Sequence, residues 1–398
     1  MNYESSRQTA ERLGVSVHTV QKWARENRIP GALRRGRAWL IPADFVHTDR
    51  QEAQPERDRL QFMPKGRPFR IAMPLMNSNY PVGKCREYIE TIPDNDNRAV
   101  AMGEYYYYSG QAERAAEAME PYQDISDPML RYTANLVGFF ANFSLGRTSA
   151  AMAAYERLLS DLQKDISTQS PLMHAVGAMA VTTASVLLHL PVSGGVELQQ
   201  CISSLPGGLK LWACYLLAHR AYLEKNYYGS LAMAELALSM NPQKYPVPTI
   251  YAHLVAAMDL MSLKRVDEAN RHMAQAWALA QPDGLIEPFG EHHGLLQGLI
   301  ERFFQRDDPE TFERIIAITY SFSAGWRKIH NPLSRNEVAD NLTTTEFTIA
   351  MLYNRGWTAK EVAAYMNLSP RTITNIIQVI YQKLGISGKR DLEKFMLT

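Results

Sequence analysis

Cysteine is scarce in this chain: Cys85, Cys201 and Cys214 are the only three among 398 residues, and no two stand in a CxxC spacing. An odd count without paired spacing argues against a disulfide framework and against a structural zinc site, and favours three small buried hydrophobes in a reducing compartment. Long apolar runs are missing too. No stretch approaches the roughly 18 apolar residues that a membrane span needs, and the opening MNYESSRQTAERLG is too polar for an export leader. The expectation is a cytoplasmic protein without membrane contact. Catalytic signatures are equally absent, with no GxSxG and no HExxH, so neither an enzyme nor a cofactor is expected. No GxxxxGK[ST] occurs, and Lys84 lacks the glycine spacing that would cradle phosphates, which argues against ATP-driven switching. The cluster Glu291, His292 and His293 does not read as a metal site, because adjacent helical residues point about 100° apart and do not readily share one ion.

What is present is unevenly spread. The net charge of +1 conceals two basic ends. Residues 1–50 carry nine Lys/Arg against five Asp/Glu, and residues 342–398 carry seven against four, which leaves the middle at −6. Such a chain can present its ends to a polyanion while its centre avoids nonspecific attraction.

The composition shifts divide the chain into a front unit over 1–45, a linker and extended segment over 46–83, a helical region over 84–331 and a rear unit over 332–398. The stretch after Phe45 is charged and lacks an apolar stripe, and the Pro/Gly-dense run to Lys84 reads as extended and packed on a neighbour. Beyond it the apolar residues recur at i, i+3, i+4, so the fold is mostly α with no convincing strand in the centre. There a small residue, an apolar residue three later and a small residue twelve later recur from Gly103, Gly138, Ala218 and Ala257. The small positions let antiparallel helices approach closely. This pattern resembles tetratricopeptide repeats, whose period is about 34 residues. The first two copies lie 35 residues apart and the last two 39, with room for one degenerate repeat between.

At the front, Ser6 to Leu13 reads as a short helix with Ala10 and Leu13 inward, ended by Gly14 in the left-handed conformation. Ser16 caps a second helix with Val17, Val20 and Trp23 or Ala24 buried, and with His18, Thr19, Gln21, Lys22 and Arg25 outside. Two helices joined by a tight turn form a helix-turn-helix, whose second helix meets base edges. The run ALRRGRAWLIP then reads as a small hairpin wing with arginines near its tip. Residues 5–45 closely resemble the helix-turn-helix of excisionases and of merR-type regulators. By that resemblance Ser16, His18, Thr19 and Lys22 face the major groove of double-stranded DNA, while Arg34, Arg35 and Arg37 hold phosphate or enter the adjoining minor groove. Trp23 and Trp39 belong to the mini-core.

The last 57 residues read as four helices. Thr343 with Glu346 and Thr358 with Glu361 make capping boxes, Gly356 stops the first helix, and Ser369 followed by Pro370 starts a third that runs to Leu384. Residues 342–396 resemble the LuxR-type helix-turn-helix. The family's recognition helix usually continues Thr-Val-Lys-x-His, whereas Thr374 and Ile376 stand at the lysine and histidine positions here. The candidate contacts are therefore Arg371, Thr374, Asn375, Gln378 and Lys383. This unit is either a second DNA reader or a dimerisation and partner module that kept the fold. By the resemblance its final helix, with Leu392, Phe395 and Met396, forms a homodimer contact, or closes its own core.

The centre resembles the repeat region that precedes the LuxR-type domain in large ATP-dependent regulators of the maltose-regulator kind. The resemblance implies that it binds a small-molecule or peptide inducer, or a regulatory partner. Tyr105, Tyr106, Tyr107 and Tyr108 span more than one helix face, so they either line a ligand groove or pack between hairpins. The function that follows is a one-component DNA-binding transcription regulator. The alternative is a repeat scaffold that recruits a protein and associates through its rear unit.

Overall fold

The computed structural model describes residues 3–25, 29, 32–35, 38–43, 45, 70–165, 170–189, 197–240, 245–330 and 342–392, and falls into two compact units, 1–67 and 68–398. In the smaller unit β1 (Tyr3–Ser5) runs straight into α1 (Ser6–Leu13), where Ser5 and Gln8 cap one another's backbone and Gly14 ends the helix at φ +66°. Then come α2 (Val17–Arg25), β2 (Leu33–Arg35) and β3 (Ala38–Pro42). The sheet order is β1-β3-β2, antiparallel throughout, with Tyr3 opposite Pro42 and Arg34 opposite Trp39. The wing is thus a three-stranded sheet, one strand more than expected, because three residues of β1 are too few to show an alternation. Ala10, Val20, Ala24, Ile29 and Ile41 form its core, with Trp23 and Trp39 packed against it. Val17 corrects the sequence reading. It is 40% exposed, since it stands in the first turn of α2 and the buried face starts only at Val20. Residues 46–69 of the expected linker lie outside the described residues.

The larger unit opens with a non-helical strap, residues 70–84, that buries Met73, Leu75, Met76 and Tyr80. Such a strap needs partners for its backbone. The Glu104 carboxylate accepts the N–H groups of Leu75 and Met76 at 2.9 and 3.1 Å, and the Thr133 hydroxyl accepts that of Met73 at 2.8 Å. After α3 (Cys85–Thr91) the hairpins begin. They pair α4 (Asn95–Tyr108) with α5 (Ala112–Met119) and α6 (Pro128–Ser144) with α7 (Thr148–Asp165). The helix α8 (Pro171–Leu187) and the short α9 (Leu198–Cys201) lie between the two pairs of hairpins. Two further hairpins follow, α10 (Gly207–Leu223) with α11 (Tyr227–Met240) and α12 (Pro246–Ser262) with α13 (Val266–Ala280).

The four full hairpins turn alike. A left-handed residue stands at Gly110, Gly146, Lys225 and Lys264, its N–H bonded to the carbonyl three residues back, and the next N–H reaches five back, as Gln111 does to Tyr106. This is the Schellman closure. His189, at φ +53° with its N–H on Val186, marks the same turn after α8. At Gly103 the small position has the expected use, since a Cβ there would come within 2.5 Å of Met119 of the facing α5, whereas one at Gly138 would come within 2.6 Å of Gln123, which precedes α6, rather than meet α7.

Of the first helices of the hairpins, α6 and α12 are buried nearly all round, whereas α4 buries half of its residues and the second helix α11 only Ser230, Leu231, Ala234 and Ala237. The cause is a second cover. α14 (Glu287–Glu291) packs on α4 and α12, and α16 (Pro309–His330) packs on α6 and α7, with α15 (Leu299–Phe304) between them in sequence. The rear helices are α17 (Thr344–Asn354), α18 (Ala359–Met366), α19 (Pro370–Leu384) and α20 (Lys389–Leu392).

Candidate nucleic-acid interface

In the front unit the cap and the groove face share one turn. The Ser16 hydroxyl accepts the Thr19 N–H at 3.0 Å and bonds the Thr19 hydroxyl at 2.7 Å, which satisfies an otherwise orphaned helix donor. His18, Lys22 and Arg25 of α2 are exposed or half-buried, as is Thr19, so the face opposite Val20 and Ala24 is polar. On the wing, Arg34 is exposed and its guanidinium stands 6.0 Å from the centre of the Trp39 ring across the hairpin. Arg35 occupies the register position opposite Ala38. Arg37 lies outside the described residues.

The rear unit forms its helices by the caps read from sequence. Thr343 with Glu346, and Thr358 with Glu361, make reciprocal capping boxes, and Ser369 accepts the Thr372 N–H at 3.0 Å. Asn367 at φ +54° turns α18 into α19, and Gly385 at φ +63° ends α19. Ile373, Ile377, Ile380 and Leu384 bury one face of α19, and Leu392 of α20 is buried in the same core. Phe395 and Met396 lie outside the described residues.

On the open face stand Arg371, Thr374, Asn375 and Gln378, joined by Val379, which is 39% exposed and carries no signal of its own in the sequence. Thr374 donates to the Pro370 carbonyl at 2.9 Å. Ile376, at the family's histidine position, is half-buried and packs on the core. Lys383 is exposed, but its ammonium sits 2.7 and 2.9 Å from the Glu346 carboxylate. Burial works upward on that carboxyl, and the bonds from Lys383 and Thr343 outweigh it, leaving Glu346 below its ordinary pKa. Of the two cations on the stripe, Lys383 is thus held by a carboxylate and Arg371 is not paired among the described residues, so most of the surface is neutral hydrogen-bonding area.

The tyrosine run divides. Tyr107 and Tyr108 are buried, while Tyr105 and Tyr106 are half-buried, the latter under the Arg114 guanidinium at 3.9 Å. His292 and His293 part company as neighbours on a turn must: His292 bonds Tyr215 at 2.9 Å and His293 bonds Glu301 at 3.0 Å. Among the described residues no three His, Cys, Asp or Glu side chains gather as a metal set, and no helix is long and apolar enough to cross a membrane.

Sequence reasoning missed the groups that seat the rear unit on the repeats. Arg355 at the end of α17 donates to the hydroxyls of Tyr222, at 3.1 Å, and Tyr227. Lys264 donates to Glu361 at 3.1 Å and to the Gly356 carbonyl at 3.2 Å, and Thr348 donates to buried Glu301 at 2.9 Å. Lys264 had one signal, a lysine at a turn position that glycine fills in the first two hairpins.

Residues 5–46 match the family model of a helix-turn-helix domain, and residues 340–396 match that of bacterial regulatory proteins, luxR family. No curated protein and no solved structure matches the chain. With a helix-turn-helix at either end, the chain is a DNA-binding transcription regulator.

Proposed function

We propose that this DNA-binding transcription regulator is a one-component switch: its ends bind double-stranded DNA, as a homodimer, and its helical centre binds a small-molecule or peptide inducer that alters how the ends are presented. The observation that carries the reading is the front unit, where the polar face of α2 accompanies an arginine-bearing wing. In this reading Ser16, His18, Thr19 and Lys22 meet base edges in the major groove, and Arg34, Arg35 and Arg37 hold phosphate. The rear unit adds Arg371, which holds phosphate, and Thr374, Asn375 and Gln378 as neutral readers, since asparagine and glutamine pair with adenine.

A gel shift on the promoter of the neighbouring genes tests the wing. Changing Arg34, Arg35 and Arg37 together to Ala should weaken binding and flatten the dependence of log affinity on log salt by about 0.9 for each phosphate no longer neutralised. Unchanged affinity and slope would remove the wing from the interface.

A second reading, the rear unit as an association module of a scaffold, is favoured by the Lys383–Glu346 ion pair, which withdraws a cation from the stripe. Light scattering of the full chain and of a chain ending at Asn331 separates the two. Loss of the dimer with DNA affinity retained supports the scaffold; loss of both supports the two-ended reader.

A further inference from the structure

The other second helices of the hairpins turn charge to water: α5 carries Glu113, Arg114 and Glu117, and α13 carries Asp267, Glu268 and Arg271. α11 does not. Its one charged residue is Glu235, and beyond Ser230, Leu231, Ala234 and Ala237 nothing on it is buried. Large apolar side chains are left in the open instead, with Tyr228 72% exposed, Leu236 61% and Met240 69%. Elsewhere in the larger unit such side chains stand singly among the described residues, as Val82, Tyr320, Leu368 and Val379 do on four separate segments, which is ordinary for a protein surface. Three on one helix make a patch.

Tyr228, Ala232, Leu236 and Met240 follow one another at i, i+4, so they form a single row about 18 Å long at 1.5 Å per residue. Such rows are the ridges by which helices pack. By helical phase Glu235 falls at the rim of the exposed arc, which leaves the row itself neutral. The order of sizes along it fits a second copy. Run antiparallel about a two-fold axis level with Ala234, the row sets Tyr228 against Met240 of the second copy and Ala232 against its Leu236. Each leucine then meets a small residue, and each ring meets a flexible thioether, a favourable neighbour for an aromatic face. One patch serves both copies, as a closed two-fold dimer requires. At roughly 200 Å² for a fully open large side chain, the three offer about 400 Å² per copy, and with exposed Ala232 and Ser239 beside them the pair approaches the ~1,000 Å² that a specific interface needs.

We infer that the outer face of α11 is the surface through which two copies of this chain pair. The inference rests on the homodimer of the switch reading and gives that homodimer a place. The same helix seats the rear unit, since Tyr227 at its start, with Tyr222 of α10, receives the Arg355 guanidinium. Antiparallel pairing of α11 therefore anchors the two rear units at opposite ends of one helix pair, and the separation of two linked DNA readers is what a dimer sets.

Sedimentation velocity of the full-length protein between about 1 and 100 μM should show a monomer–dimer equilibrium. Leu236→Glu adds a charge at a position already in water, so the thermal midpoint should stay in place while the dimer dissociation constant rises about tenfold or more. Met240→Glu should act alike and decides the matter should the first variant fail to fold. Mixed with Ala232→Lys, Leu236→Glu should form a heterodimer tighter than either variant forms alone, because the register sets these positions face to face; no such gain would overturn the pairing. A native protein that stays monomeric throughout would overturn the pairing and the homodimer together. A dimer indifferent to both glutamates would overturn the pairing alone and leave the homodimer to the rear unit. Ending the chain at Asn331 takes Arg355 away from the same helix, so the point substitutions are what assign the dimer to this face, and the arginine variants of the wing test DNA binding regardless.

Discussion

Asp259 lies fully buried in α12, with the Ser230 hydroxyl donating to one carboxyl oxygen at 2.6 Å and the other oxygen unbonded among the described residues. Burial outweighs that bond and pushes the carboxyl from 3.8 to about 8. The folded protein therefore keeps this proton between pH 4 and 8 where the unfolded chain has released it, so the contribution to stability is full below pH 4 and falls as pH rises to 8. Asp259→Asn removes the titration and keeps the shape. Urea unfolding at pH 5 and pH 8 should find the variant gaining on the native protein as pH rises, and parallel behaviour would show that Asp259 is ionised in the fold. Glu104 titrates near pH 8 as well, again through burial, but it is shared by both proteins and cancels in the comparison. None of these acids announced itself in the sequence. An acid at an apolar helical phase is visible, as with Glu287 and Glu291 at i, i+4 in EPFGE, but only packing decides whether water reaches it.

Among the elements, turns carry the clearest tests. Gly110 sits at φ +77°, and a Cβ there would meet the Ile318 side chain at 3.0 Å. Gly110→Ala should destabilise by about 1–2 kcal/mol from the left-handed backbone alone, read as a lowered urea midpoint. The caps of α17, α18 and α19 were legible because a capping box is a local code: Thr343 with Glu346, Thr358 with Glu361 and Ser369 with Pro370 need only three or four neighbouring residues to act. The face of α19 is a different matter. Its helical phase predicts which residues point out, yet the capture of Lys383 by Glu346, 37 residues away, depends on how α17 crosses it. Lys383→Ala should consequently leave the salt slope of DNA binding unchanged, whereas Arg371→Ala should reduce it by about 0.9. A reduced slope for Lys383→Ala would show that the ion pair opens on DNA.

On the scale of the whole larger unit, the rear helices are seated on the repeats by a few polar anchors. Arg355 reaches two tyrosines of the α10–α11 hairpin, Lys264 reaches α18 from the last hairpin turn, and Glu301 joins His293 to Thr348. This seat uses α17 and α18 and leaves the open face of α19 clear. Arg355→Ala should raise amide hydrogen exchange in α17 and α18 while α4 to α7 keep their protection, since the hairpins hold one another independently of it. Uniform loss of protection would mean that the seat and the repeats unfold as one.

By itself the sequence determined the helical hairpins, their turns, the caps and the two helix-turn-helix units, because each is set by residues close together in the chain. Tertiary structure decided that α14 and α16 cover the inner helices, that Tyr107 and Tyr108 turn inward while Tyr105 and Tyr106 remain half-open, and that Val17 stays in water. It also decided that Glu287 and Glu291, without a basic partner among the described residues, meet inside the helical centre, and that Glu104 is buried against the strap. Burial is a property of what arrives from elsewhere in the chain, and no local pattern records the arrival.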